Sequence, residues 1–278
     1  MADQLIFAQE NRERIQAVEN SFGPLSKTLS KLDRVLIGEG RLIKQSRRGP
    51  QPKAFFLFND VLVYGSIILH SRWHNKQKII PLEDIQLQDL EDGLRMRNQW
   101  LIRTPRKSFY VAAESYEEKQ AWIEHIEDCQ NRLLQSGRRT PTSIFAITWI
   151  PDQASAICMR CSDRFTMTQR RHHCRKCGFV VCGACSKKQA LIRHIHPTKR
   201  LRVCDICHPS LLKAEAQEIN RLRGDSTGKS GSEEDLEEFS EEDTEEDQVE
   251  DHDTSRWMNC EMGSRSTYVF LKPEHVRP

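Results

Sequence analysis

Four Cys-x-x-Cys pairs fall between residues 158 and 207: Cys158/Cys161, Cys174/Cys177, Cys182/Cys185 and Cys204/Cys207. Thiolate sulfur is a zinc ligand and structural zinc is tetrahedral, so eight cysteines can hold two ions with no ligand left over. The basic run Arg170-Arg171-His172-His173 feeds directly into Cys174. Cations on a small metal-stapled scaffold can face an anion, and guanidinium forks suit phosphate oxygens. The pattern points to recognition of a phosphate group. It holds no nucleophile–base constellation, phosphate-cradling glycine loop or open metal position, so neither catalysis nor a small-molecule substrate is expected.

The redox setting supports zinc over disulfides. The N-terminus, Met1-Ala2-Asp3-Gln4-Leu5-Ile6-Phe7, has no basic stretch and no long apolar stretch, so it does not read as a signal peptide. The cysteines are then expected in a reducing compartment, where paired Cys-x-x-Cys motifs read as metal sites. Cys129 and Cys260 have no partner pattern and read as free thiols, Cys129 in a core. No apolar run approaches the roughly 20 residues that a membrane span needs.

Charge is unevenly divided. The formal net charge is +2, but residues 233–253 carry fourteen Asp or Glu and no Lys or Arg, whereas 1–232 carry 38 basic and 24 acidic residues. A basic body joined to an acidic tail suggests a polyanionic partner, with the tail competing for the same surface. Ser232-Glu-Glu-Asp, Ser240-Glu-Glu-Asp and Thr244-Glu-Glu-Asp repeat one pattern in the tail. They read either as sites for an acidophilic kinase of the casein-kinase type or as a plain solvated acidic stretch.

The elements that position the cysteines follow from periodicity. Ile15, Val18 and Phe22 predict a short helix over 10–22, within a lead-in of 1–34. From 35 the pattern is β, with seven strands expected at 35–44, 54–58, 61–64, 78–80, 85–87, 99–102 and 109–111. Ser115-Tyr116-Glu117-Glu118 is a capping box, and behind it Trp122, Ile126, Cys129 and Leu133 form one helical stripe. Seven strands sealed by a helix with a buried Trp, over 35–134, resemble a pleckstrin-homology domain, a β-sandwich or barrel with a C-terminal capping helix. Residues 135–148 read as a linker and 210–224 as a short helix. The tail, 225–278, has too little apolar content to offset its ordering entropy and is expected to be disordered.

The cysteine spacing is x2, x12, x2, x4, x2, x18, x2, and pairs only four residues apart favour interleaved sites. Trp149-Ile150-Pro151-Asp152, the Arg170–Gly178 run and Arg202-Val203-Cys204 resemble the signature of the FYVE zinc-finger family over 149–209. The resemblance implies a cross-braced two-zinc α+β module that binds phosphatidylinositol 3-phosphate. It pairs Cys158, Cys161, Cys182 and Cys185 on one zinc, and Cys174, Cys177, Cys204 and Cys207 on the other. It assigns Arg170, Arg171, Arg175 and Arg202 to phosphate, and Asp152, His172 and His173 to the headgroup. Thr166-Met167-Thr168 becomes a bilayer-inserting loop, unless Met167 packs inward. Two histidines in a basic cluster also predict binding that strengthens as pH falls.

The first hairpin of the strand-rich domain offers a second lipid patch at Lys44, Arg47, Arg48 and Lys53, widened by Arg72, His74, Lys76 and Lys78. The Arg that phosphoinositide-binding domains of this type place after the first hairpin is missing from Lys53-Ala54-Phe55, so a weaker membrane contact or a protein interface is as good a reading. The order of the two domains, with an N-terminal helix and acidic tail, resembles the Phafin family. That implies a cytoplasmic adaptor, peripheral on early endosomes and also lysosomes, meeting unidentified trafficking proteins in traffic, autophagy or apoptosis. The rival readings are a RING-type ubiquitin ligase, whose His ligand spacing is absent, and a zinc-dependent nucleic-acid module. No nucleic acid is expected, because base-stacking aromatics are not interleaved with the cations.

Overall fold

The computed structural model describes residues 2–68, 73–93, 97–135, 137, 142–224 and 268–271, without the side chains of 2–4 and 219–224. Residues 1–215 and 267–278 form one compact unit, and 216–266 a second, described only over 216–224.

Helix α1 (Ala2–Ser21) is followed by seven antiparallel strands: β1 (Leu36–Ser46), β2 (Gly49–Phe58), β3 (Val61–Ile67), β4 (His74–Pro81), β5 (Gln86–Asp89), β6 (Gln99–Arg103) and β7 (Phe109–Ala112). Their order is β4-β3-β2-β1-β7-β6-β5. Helix α2 (Tyr116–Gln135) then closes the sheet. Its capping box forms: the Glu118 amide donates to Ser115 Oγ at 3.1 Å, and Glu118 Oε2 accepts from the Glu114 amide at 3.0 Å.

Strand β2 explains why α1 is there. An apolar run of five, Ala54 to Phe58, is buried throughout. A strand with one wet face would alternate; this one is covered on both. Phe55 and Leu57 face the main core with Trp100, Ile102 and Trp122. Phe56 and Phe58 face the other way, against Ile15, Val18 and Phe22 of the N-terminal segment. The helix begins eight residues earlier than the 10–22 expected, because none of residues 5–10 is buried and periodicity had nothing there to register.

The second module has little apolar core. Hairpins β8 (His172–His173) with β9 (Val180–Val181) and β10 (Gln189–Leu191) with β11 (Arg200–Arg202) enclose Val181, Ala190, Ile192 and Val203 among the cysteines. Helix α3 (Cys207–Gly224) follows it in the chain. The stretch between the domains is no free tether. The Ala146 amide donates to the Thr104 carbonyl at 2.9 Å, and the Ser108 hydroxyl donates to the Ala146 carbonyl.

One expectation fails here. Within 225–278, expected to be disordered throughout, Tyr268–Phe270 form strand β12, which pairs antiparallel with Gly38–Gly40 of β1. Phe270 lies edge-on to Trp122 at 5.0 Å and stacks on His125 at 4.1 Å. Two aromatic rings supply the burial that composition averaged over the tail conceals. Ser232, Ser240, Thr244 and Cys260 lie outside the described residues.

Candidate phosphate site and metal centres

The eight cysteines fall into two quartets, Cys158, Cys161, Cys182 and Cys185, and Cys174, Cys177, Cys204 and Cys207. Within each quartet the sulfurs lie within 4.8 Å of one another. Their surroundings suit thiolate. The Cys182 amide donates to Cys158 Sγ at 3.2 Å, and the Cys185 amide to Cys182 Sγ at 3.4 Å. In the second quartet the hydrogen bond from Cys177, helped by backbone amides, holds Cys174 down to about 4, while the same contact and burial push Cys177 up. Four sulfurs this close cannot all ionise without a cation among them, and a divalent ion of tetrahedral preference fits the donor set. Zinc here would supply structure, cross-linking hairpins whose apolar core is small.

Arg160 tunes the second quartet and escaped the sequence reading. Its Nε donates to Cys204 Sγ and its NH2 to Cys177 Sγ, both at 3.3 Å, and its guanidinium lies 4.5 Å from the Phe179 ring centroid. The available signal was a basic residue inside the first Cys-x-x-Cys loop. It serves the sulfurs of the other quartet, a relationship that only the cross-braced fold creates.

The phosphate candidates gather around β8 and the segment before it. Arg171 is exposed, its guanidinium 4.8 Å from the Phe165 ring and its Nε 3.4 Å from the Ser155 carbonyl. Arg175 NH1 donates to the His173 carbonyl at 3.0 Å, and its guanidinium lies 3.9 Å from the Trp149 ring. The Arg175 amide also donates to the Arg202 carbonyl at 3.0 Å, bringing β11 to the same place. Arg202 NH1 donates to the Ser186 carbonyl at 2.8 Å, and Arg170 is exposed. Gly178, at φ +73°, makes the turn after Cys177; a Cβ there would strike the Thr148 carbonyl.

The two histidines differ. His172 is half-buried, whereas His173 is buried, stacked on Trp149 at 5.0 Å, with Nε2 2.7 Å from the Ile150 carbonyl. Burial lowers its pKa, against the pull of that carbonyl and of Asp152. Desolvation therefore favours the neutral form of His173, which charges only at a pH below that of an ordinary histidine. Asp152 Oδ1 lies 3.7 Å from His173 Nε2.

Met167 is 96% exposed at the tip of a turn closed by the Gln169 amide to Thr166 Oγ at 3.0 Å, with Thr166 and Thr168 hydroxyls 3.1 Å apart. The reading in which it packs inward is excluded.

The first-hairpin patch changes most. Lys44 is buried, its Nζ 4.4 Å from the Phe109 ring centroid, because a long aliphatic stem carries the ammonium onto aromatic faces. His74 is buried against Phe22 and Phe56 with Nδ1 2.9 Å from the Ser21 hydroxyl, so it does not widen a surface patch. Lys53 donates to Ser66 Oγ at 2.7 Å. Arg48 and Lys76 are exposed and Lys78 is half-buried; Arg72 lies outside the described residues. Arg47 turns toward the second module, its Nε 3.5 Å from Asp152 Oδ2.

Each module matches a known domain family. Residues 36–131 match the PH domain family and residues 148–213 the FYVE zinc finger family. The chain is 48% identical over 227 residues to rat pleckstrin homology domain-containing family F member 1, covering 81% of each chain. It is 45% identical over 231 residues to human member 2, covering 83% of this chain and 92% of that one. Its finger is also similar to the solution structure of the LM5-1 FYVE domain from Leishmania major, at 45% identity, covering 23% of this chain and 77% of that one, with a TM-score of 0.22. Among the described residues no helix is long and apolar enough to cross a membrane. With this identity along most of its length, the chain belongs to the Phafin family, adaptors with PH and FYVE domains of phosphoinositide-binding type.

Proposed function

We propose that this protein reads phosphatidylinositol 3-phosphate on early endosomes, and on lysosomes, through its FYVE finger, and there positions trafficking proteins in endosome traffic, autophagy or apoptosis. The supporting observation is one continuous surface: exposed Arg170 and Arg171 lie next to a turn whose Met167 is 96% exposed. A headgroup bound by the arginines would bring Met167 to the acyl boundary. Arg171, Arg175 and Arg202 take the phosphates, with His172, His173 and Asp152 beside the inositol hydroxyls. Two structural zinc ions, one per cysteine quartet, hold the loops. Charge-assisted bonds contribute about 1.5–3 kcal/mol each and a buried Met side chain a similar amount. Neither anchors a protein alone, so headgroup, loop and basic surface act together. The adaptor has no catalytic step.

The test is location. A fluorescent full-length chain should collect on early endosomes and disperse when synthesis of the lipid is inhibited. Puncta that persist through that inhibition, or a chain that never leaves the cytosol, would end this reading.

A further inference from the structure

The two domains meet at the residues the finger would use for its ligand. The Asp152 amide donates to the Arg47 carbonyl at 3.1 Å, and Gln153 Nε2 donates to the Arg48 carbonyl at 3.0 Å. So the turn between β1 and β2 is hydrogen-bonded onto the Trp149–Asp152 motif. From the turn between β6 and β7, Lys107 places its Nζ 5.0 Å from the centroid of the same Trp149 ring that Arg175 covers at 3.9 Å. Residues of the first domain thus contact the finger's Trp149, Asp152 and Gln153, beside which lie His173 and Arg175.

Two atoms at this junction have only a long ionic neighbour: Arg47 Nε lies 3.5 Å from Asp152 Oδ2, and Asp152 Oδ1 3.7 Å from His173 Nε2. Arg47 Nε and Asp152 Oδ1 are both buried and neither makes a hydrogen bond within the protein. Buried polar atoms are ordinarily paired, with protein, water or ligand. The Arg47 side chain is still 32% exposed, so its cation reaches the solvent from which a headgroup arrives. Charge also favours a ligand. A bare carboxylate at Asp152 would repel phosphate, and the Arg47 guanidinium at 3.5 Å offsets it.

We infer that the headgroup site is composite: Arg47 and Lys107 of the pleckstrin-homology domain complete the finger's phosphate cluster, so both domains read one inositol phosphate headgroup together. This rests on the proposed lipid reading and deepens it. It replaces two independent lipid sites with one, in which the first domain sets affinity by neutralising Asp152 and adding cations.

The experiment is calorimetric titration of the full-length, zinc-loaded chain with the soluble inositol headgroup of phosphatidylinositol 3-phosphate, and with inorganic phosphate as a second arm. Arg47→Gln should weaken headgroup binding about tenfold, the loss of one charge-assisted contact. Lys107→Ala, at an exposed position, should weaken it about threefold and guards against a folding defect in the first variant. In an Asp152→Asn background the Arg47→Gln effect should shrink, because the charge it offsets is gone. Unchanged binding in both variants would overturn the inference, and tighter binding would show instead that Arg47 blocks the site. Equal affinity for inorganic phosphate would overturn it as well. A wild-type chain that binds neither probe would sink the lipid reading itself.

Discussion

The ring of Phe270 fills the space that any side chain at position 38 would need: a Cβ on Gly38 would meet its edge. The Leu271 amide donates to the Ile37 carbonyl at 2.7 Å, holding that ring against Trp122 and His125. Residues Tyr268–Phe270 are thereby part of the first domain's sheet. Phe270→Ala should destabilise the domain by about 2 kcal/mol, less than a fully buried Phe because the ring is only half-buried. Gly38→Val should do at least as much by expelling the ring. Chemical denaturation of the full chain checks both, and a variant as stable as wild type would mean that β12 does not contribute.

Met167 separates lipid contact from folding. Met167→Glu should leave the denaturation midpoint unchanged within about 0.5 kcal/mol, as expected of an exposed position. It should weaken vesicle binding about tenfold or more, since burying an apolar side chain of this size contributes about 1.5–3 kcal/mol. Vesicle pelleting beside a melting curve reads both. Loss of stability would mean the turn is structural.

Metal removal should unfold the finger and leave the first domain standing. The finger's core is small and contains its cysteines, whereas the first domain is built around Trp100, Trp122 and Phe55. A strong chelator should abolish amide protection in 149–209 and retain it in the β1–β7 sheet, read by hydrogen exchange. Arg160→Ala should ease zinc loss about tenfold, the usual effect of deleting a group hydrogen-bonded to metal ligands. Competition with a colorimetric chelator measures that.

Acid should loosen α1 through His74. Burial lowers the His74 pKa from its ordinary 6.5. A base whose folded pKa is depressed contributes stability above the unfolded value and loses it as pH falls through the folded one. Stability should therefore decline below about pH 6.5. The decline should be shallower in His74→Asn, which cannot protonate. Denaturation midpoints of both proteins across that range test this, and parallel curves would exclude His74.

The cysteine pairs and the seven strands were legible in the sequence because each depends on local pattern, whereas which pairs share a quartet came from the family resemblance. Zinc needs sulfur at short spacings, and strands need runs of apolar residues between turns. Strand β12 was not legible: three residues long, it pairs with β1 across more than two hundred residues of chain. Lys44 read as a surface charge because nothing local to it announces Phe109, its aromatic neighbour from β7. Arg47 lies in the right hairpin for an anion, but its partner Asp152 belongs to the other domain, and no periodicity records such a meeting. Arg160 sat in plain view inside a metal loop, but its role depends on which cysteines the fold brings beside it.

Vesicle co-sedimentation of the full-length chain across the phosphoinositides, with Arg171→Ala alongside, tests the central claim most directly. The account predicts selective pelleting with phosphatidylinositol 3-phosphate and its loss in the variant. Equal pelleting with every phosphoinositide, or a variant that pellets like wild type, would contradict it.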